Sequence, residues 1–121
     1  MCKVSSCEIL RYFSNLPVLD HYQEATENVG LWNSEDIVFS KTFADRNLKI
    51  LELGCGAGRI SFGLWKKGYK KLTATDFSKP MIKRAVNLNK KFKTQITFKV
   101  EDATSLSFDN ESFEGAIFGF N

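Results

Sequence analysis

The sequence predicts an α/β chain built on a parallel sheet, and three observations carry that prediction. Short apolar or β-branched runs recur at 48–53, 71–76, 95–100 and 113–120. The first two gaps between them carry apolar residues at helical spacing. A glycine-rich turn follows the first run directly. Strands that alternate with helices in this way imply right-handed crossovers between parallel neighbours.

Each element has its own justification. Residues 12–27 read as a helix interrupted at Pro17, since proline lacks the N–H that a helix interior needs. Asn33 is a candidate N-cap with Asp36 three residues on, and Trp32 and Ile37 stand at hydrophobic-staple spacing. That helix is expected to run to Ala44, with a turn at Asp45, Arg46 and Asn47. LKILEL (48–53) is a short buried strand, followed by GCGAGR (54–59) and a helix over 57–67 that buries Ile60 and Leu64 and stops at Gly68. KLTATD (71–76) is the second strand. Ser78 caps the next helix, Pro80 fits its first turn, and Met81, Ile82, Ala85 and Leu88 form its apolar stripe. In the third strand Ile96, Phe98 and Val100 alternate with Thr97 and Lys99, the pattern of a half-covered edge strand. The fourth is apolar or glycine from 115 to 120 and reads as covered on both faces near the sheet centre. Its position as the last strand predicts an N-terminal part of a larger domain. The expected organisation is a helical cap over 1–46 and an α/β core over 47–121, incomplete at its C-terminal end.

Composition removes several function classes. Seventeen basic against 14 acidic residues leave +3, too mild a balance to imply nucleic acid or an anionic membrane by itself. No apolar stretch approaches the ~20 residues of a membrane span, and residues 1–13 lack the apolar core of a secretion signal. The three cysteines, Cys2, Cys7 and Cys55, form no C-x-x-C pair, which argues against a zinc site or disulfide framework and for a reducing, cytoplasmic setting. Metal ligands are not expected.

The chemistry is concentrated at the carboxyl ends of the strands, where open α/β sheets bind ligands. Gly54, Gly56 and Gly58 alternate between a buried strand and a helix start, so the backbone can turn sharply and approach a ligand closely. Asp76 ends the second strand, 20 residues after Gly56, where a carboxylate can accept from both hydroxyls of a ribose. Glu101, Asp102 and Ala103 follow the third strand. The dinucleotide fingerprint G-x-G-x-x-G fits poorly: from Gly54 it needs glycine where Arg59 stands, and from Gly56 it needs a small residue at Ser61. Glu52 beside a pyrophosphate would also repel it, whereas a ligand carrying an ammonium or sulfonium and no phosphate suits that carboxylate. This points to S-adenosylmethionine.

Residues 50–58 resemble the E-x-G-x-G-x-G signature of class I S-adenosylmethionine-dependent methyltransferases, with Glu52, Gly54, Gly56 and Gly58 in place. Residues 75–78, 100–103 and 113–121 resemble that family's second, third and fourth motifs, in order and at the right spacings. The resemblance covers roughly residues 31–121. It implies a Rossmann-like methyltransferase fold whose first four strands lie in the order 3-2-1-4, with S-adenosylmethionine as cofactor. It implies further that Gly54, Cys55, Gly56 and Gly58 contact the methionine and ribose part, with Glu52 near the ammonium. Asp76 would hold the ribose, Phe77 would flank the adenine, and Asp102 and the Ala103 N–H would read the adenine edge, with Met81 also in the cofactor site. Asn121 would lie near the methyl group, with Tyr22 or Trp32 closing over the cofactor. No residue stands out as a general base, since methyl transfer from a sulfonium chiefly needs positioning.

The expected acceptor is a small molecule. The lysines of 66–93 read mainly as solvated helix faces, with nucleic acid the less favoured use. Self-association through the exposed fourth strand is also expected. Two other functions fit less of the sequence. One is a non-catalytic S-adenosylmethionine-binding module. The other is a nicotinamide-dependent oxidoreductase fragment, which Arg59 and Glu52 disfavour. Cys55 reads as a small packing residue of the loop, and His21 as a helix-packing residue.

Overall fold

The structure is a computed structural model and describes residues 6–109 and 112–119. Four strands, β1 (Ile50–Leu53), β2 (Leu72–Asp76), β3 (Thr97–Val100) and β4 (Gly115–Phe118), form one parallel sheet in the order β3-β2-β1-β4. Helix α4 (Arg59–Lys66) connects β1 to β2, and α5 (Lys79–Lys91) connects β2 to β3. The register pairs Leu53 with both Thr75 and Phe118, and Asp76 with Val100. Gly54, Asp76, Glu101 and Gly119 therefore emerge at one end of the sheet.

The core fills the space between the sheet and these helices. Ile50, Leu72, Ala74 and Ile117 meet Ile60 and Leu64 of α4 and Ile82 and Leu88 of α5, all buried. Three helices precede the sheet: α1 (Ser6–Phe13), α2 (Leu16–Asn28) and α3 (Asn33–Thr42). Pro17 stands in the first turn of α2, where its missing N–H costs nothing, so the interruption at that residue separates two helices. Helix α2 packs across α4 and α5. At the foot of the sheet the buried Tyr69 hydroxyl joins the Phe43 carbonyl to the Arg46 guanidinium, fixing the end of α3.

Three local expectations differ from what is found. Helix α3 starts one residue earlier than the Asn33 cap implies: Trp32 is the N-cap, and its N–H donates to Glu35 at 2.9 Å, so Glu35 and not Asp36 reaches back. Trp32 and Ile37 are more than half exposed and form no buried staple; the Trp32 ring lies against the Arg59 guanidinium instead. In β4 only Ile117 is buried and Phe118 is 73% exposed, because β1 is its sole partner among the described residues. The edge placement expected for β3 matches its single pairing with β2.

Arg59, the residue that breaks the dinucleotide fingerprint, ties these layers together. Its guanidinium donates to both Glu35 carboxylate oxygens at 2.6 and 3.0 Å and to the Gly30 carbonyl at 2.8 Å, with both side chains largely buried. Burial alone would raise the Glu35 carboxyl, but Arg59 and the Trp32 N–H hold it below its usual 4.5. Glu35→Gln is expected to cost about 1.5–3 kcal/mol, the range for hydrogen bonds to charged groups. The contribution is present above pH 4.5 and lost as pH falls through the lowered value, because protonation removes the pairing. Urea titrations of both forms at several pH values check this: the two curves converge in acid.

Candidate active site

The loop after β1 is stitched to β2. Cys55 N–H donates to the Thr75 carbonyl at 2.8 Å, and Gly56 N–H donates to Asp76 Oδ2 at 2.9 Å. Ser78 N–H donates to Asp76 Oδ1 at 2.9 Å, and Ser78 Oγ accepts from Met81 N–H, capping α5 as expected. Asp76 thus turns the chain, and the same backbone bonds orient its carboxylate at the rim of the loop. Burial pushes the Asp76 carboxyl above 3.8, against backbone hydrogen bonds from Ser78, Gly56 and Phe77 that pull it down.

Gly54 (φ +66) and Gly56 (φ +56) hold left-handed conformations that side chains rarely adopt. A Cβ at Gly56 would come within 3.2 Å of the Tyr22 ring. Gly58 (φ +99) is different: its missing Cβ would lie 2.8 Å from Phe62 and 3.1 Å from Phe98, so it serves helix packing.

Above this loop lies a cleft of ≈ 510 Å³, within the ~300–1,000 Å³ typical of small-molecule sites. Gly54, Gly56 and Gly119 form its floor, Asp76, Phe77 and Met81 one wall, and Glu101, Asp102, Ala103 and Thr104 another. Ile9, Phe13, Tyr22 and Phe118 close the rest. Asp102 is exposed and accepts from the Thr104 N–H and hydroxyl at 2.9 and 2.7 Å, which hold its carboxyl below 3.8.

Eight of the thirteen residues singled out in the sequence line this cleft: Gly54, Gly56, Asp76, Phe77, Met81, Asp102, Ala103 and Tyr22. Glu52 is 1% exposed and lies beneath the floor, accepting from the Ser61 hydroxyl at 2.7 Å. Cys55 and Trp32 line a neighbouring recess, and Gly58 packs inward. Burial, with Glu52 and Asp76 nearby, pushes the Cys55 thiol well above 9.0, so it stays protonated and inert. Asn121 lies outside the described residues. Sequence reading missed Ile9, Phe13, Thr104, Phe118 and Gly119; the Ile9/Phe13 pair, four apart on α1, is the signal that marks an inward apolar face.

The lining decides what this cleft can take. Three carboxylates, Asp76, Glu101 and Asp102, face it, and no lysine, arginine or histidine is among its described lining residues. Phe13, Phe77 and Phe118 add flat apolar surface. Such a site suits an uncharged aromatic ring, a diol and a cation, and it repels a pyrophosphate. The family described as a methyltransferase domain matches residues 50–121.

The chain belongs to that family. It is a class I S-adenosylmethionine-dependent methyltransferase domain. It is 32% identical over 92 residues to the zebrafish (Danio rerio) eEF1A lysine and N-terminal methyltransferase, covering 76% of this chain and 13% of that protein. The solved structure of the PH0226 protein from Pyrococcus horikoshii OT3 is 34% identical with a TM-score of 0.64, over 69% of this chain and 36% of that one. Magnesium protoporphyrin IX methyltransferase from Synechocystis PCC 6803, solved with bound S-adenosylmethionine, shares the fold at 19% identity and a TM-score of 0.63, over 88% of this chain and 59% of that one. The methyltransferase domain thus spans about a third to three-fifths of these solved chains and a small fraction of the curated relative. No helix among its described residues is long and apolar enough to cross a membrane, and those residues hold no cluster suited to a metal ion.

Proposed function

We propose that the cleft over Gly54 and Gly56 holds S-adenosylmethionine and that the protein transfers its methyl group to a protein amine. The three carboxylates, with no cationic side chain among the described lining residues, carry the first half of this reading, since they match a sulfonium and a diol and oppose phosphate. Asp76 accepts from the ribose hydroxyls, Phe77 and Met81 border the base, and Asp102 with the Ala103 N–H faces the base edge. Glu52, set under Gly119, adds negative potential from below without touching the ligand. The bound cofactor supplies a methyl carbon already activated by its sulfonium; the chain binds it, orients it and excludes water.

The relative named an eEF1A lysine and N-terminal methyltransferase supports a protein amine as acceptor, in place of the small molecule expected from the sequence. Incubation with methyl-labelled S-adenosylmethionine and purified eEF1A tests this. The reading expects label on a lysine side chain or the N-terminal amine of eEF1A. Absence of label from eEF1A, with label transferred to compounds of an added low-mass metabolite fraction and separated from the unreacted cofactor, returns the acceptor to the small-molecule class.

Affinity for the cofactor is expected to fall in acid. Diol donors favour the ionised Asp76, so binding is retained above its raised pKa and lost as pH falls through it, at a pH above the 3.8 of an ordinary aspartate. Titrations across pH 4–7 check the direction.

A further inference from the structure

The mild balance of +3 hides a division of charge along the chain. Residues 53–100 carry twelve of the 17 basic residues and one of the 14 acidic ones, Asp76. The fold repeats that division in space. Right-handed crossovers put α4 and α5 on one face of the sheet, and both run from the cleft end to the foot. Their C-terminal ends adjoin there, with Lys66 Nζ 5.9 Å from the centre of the Phe92 ring.

Seven exposed lysines gather at these ends, within residues 66–71 and 90–93. Lys67 pairs with Asp36 and Lys91 with Glu27. The other five, Lys66, Lys70, Lys71, Lys90 and Lys93, make no ion pair among the described residues. Lys70 lies over the Trp65 ring at 4.1 Å and donates to the Trp65 carbonyl at 3.0 Å. Rings and a carbonyl steady these cations without neutralising them. The chemistry of the patch selects its partner. Both arginines of the segment are engaged elsewhere, Arg59 with Glu35 and Arg84 with Asp20, so the free charge is all lysine. Protein interfaces favour arginine and are poor in lysine, whereas lysine meets phosphate well as a point charge. None of the exposed large apolar side chains falls within residues 64–95, so the patch has no anchor for a protein hot spot or a bilayer.

We propose that the lysine-rich foot of α4 and α5 binds the phosphate backbone of a nucleic acid without reading its bases. This reverses, for the foot, the reading of these lysines as solvated helix faces. The three carboxylates of the cleft repel phosphate, so charge turns the foot toward the strand and leaves the cleft open at the other end. The contact is separate from methyl transfer and does not depend on the cofactor reading.

The test is fluorescence anisotropy of a labelled 20-nucleotide single-stranded RNA at several salt concentrations between 50 and 200 mM. Neutralising three to five phosphates predicts a slope of log affinity on log salt of about −2 to −4. Lys66→Gln/Lys71→Gln/Lys90→Gln is expected to make that slope shallower by about 2. Lys41→Gln/Lys79→Gln/Lys83→Gln removes the same charge elsewhere and is expected to leave the slope unchanged. Circular dichroism verifies that both triple variants are folded. A DNA strand of the same sequence distinguishes the source of the phosphates and is expected to bind within about threefold of the RNA. Equal loss in the two variants, a tenfold preference for either strand, or tighter binding to polyglutamate or phosphatidylserine vesicles than to the RNA overturns the proposal. So does absence of binding at 50 mM salt.

Discussion

Gly58→Val is expected to be among the most destabilising single substitutions in the chain, at about 2–5 kcal/mol. Left-handed backbone at φ +99 costs a branched residue about 1–2 kcal/mol, and forcing a side chain against Phe62 and Phe98 adds about 1–3 kcal/mol. The sum of about 2–5 kcal/mol is a large part of the ~5–15 kcal/mol that holds a domain together. Phe62 cannot move aside freely, because its ring packs edge-on against Phe92 at 5.1 Å and against Phe98 at 5.5 Å. Gly54→Ala makes the contrast. Its new Cβ meets nothing closer than the Phe118 ring at 3.8 Å, so only the conformational cost of φ +66 remains, and that chain stays folded. Urea denaturation of both variants checks the difference. A Gly58→Val chain as stable as the parent would mean that this glycine is not a packing residue.

The second large effect falls on binding. Asp76→Ala removes the acceptor proposed for two ribose hydroxyls, and hydrogen bonds to a charged group are worth about 1.5–3 kcal/mol each, so S-adenosylmethionine affinity is expected to drop at least 100-fold. The same change strips the Gly56 and Ser78 N–H groups of their partner, at about 1–3 kcal/mol of stability. Asp76→Asn keeps an amide oxygen for one of those N–H groups and recovers part of the stability while binding stays weak. Calorimetric titration beside thermal denaturation separates the two losses. Equal affinity in Asp76→Ala would remove this residue from the site.

The parts of the molecule that were legible share a physical cause. The β1 run, the glycine loop and Asp76 are consecutive in space because they are consecutive across one crossover, so spacing along the chain carries their geometry. The Ser78 cap is legible for the same reason, as its partner Met81 is three residues away. The glycines read alike in sequence, yet Gly58 faces Phe62 and Phe98 while Gly54 borders the cleft, a distinction set by tertiary packing. Arg59 appears in the sequence only as a departure from a fingerprint. Its role depends on Glu35, 24 residues earlier, and on Gly30, neither of which local periodicity connects to it. Trp32 looks like a staple because it precedes an apolar helix, and Arg59 draws its ring elsewhere. Helix α1 contributes Ile9 and Phe13 to the cleft although the first 30 residues carry few local signals.

The most direct measurement of the central claim is calorimetric titration of the 121-residue chain with S-adenosylmethionine and, separately, with NADH. A cleft with three carboxylates and no described cationic lining predicts saturable one-to-one binding of S-adenosylmethionine and none of NADH. Preference for NADH, or no binding of S-adenosylmethionine by a chain that circular dichroism shows to be folded, would contradict it.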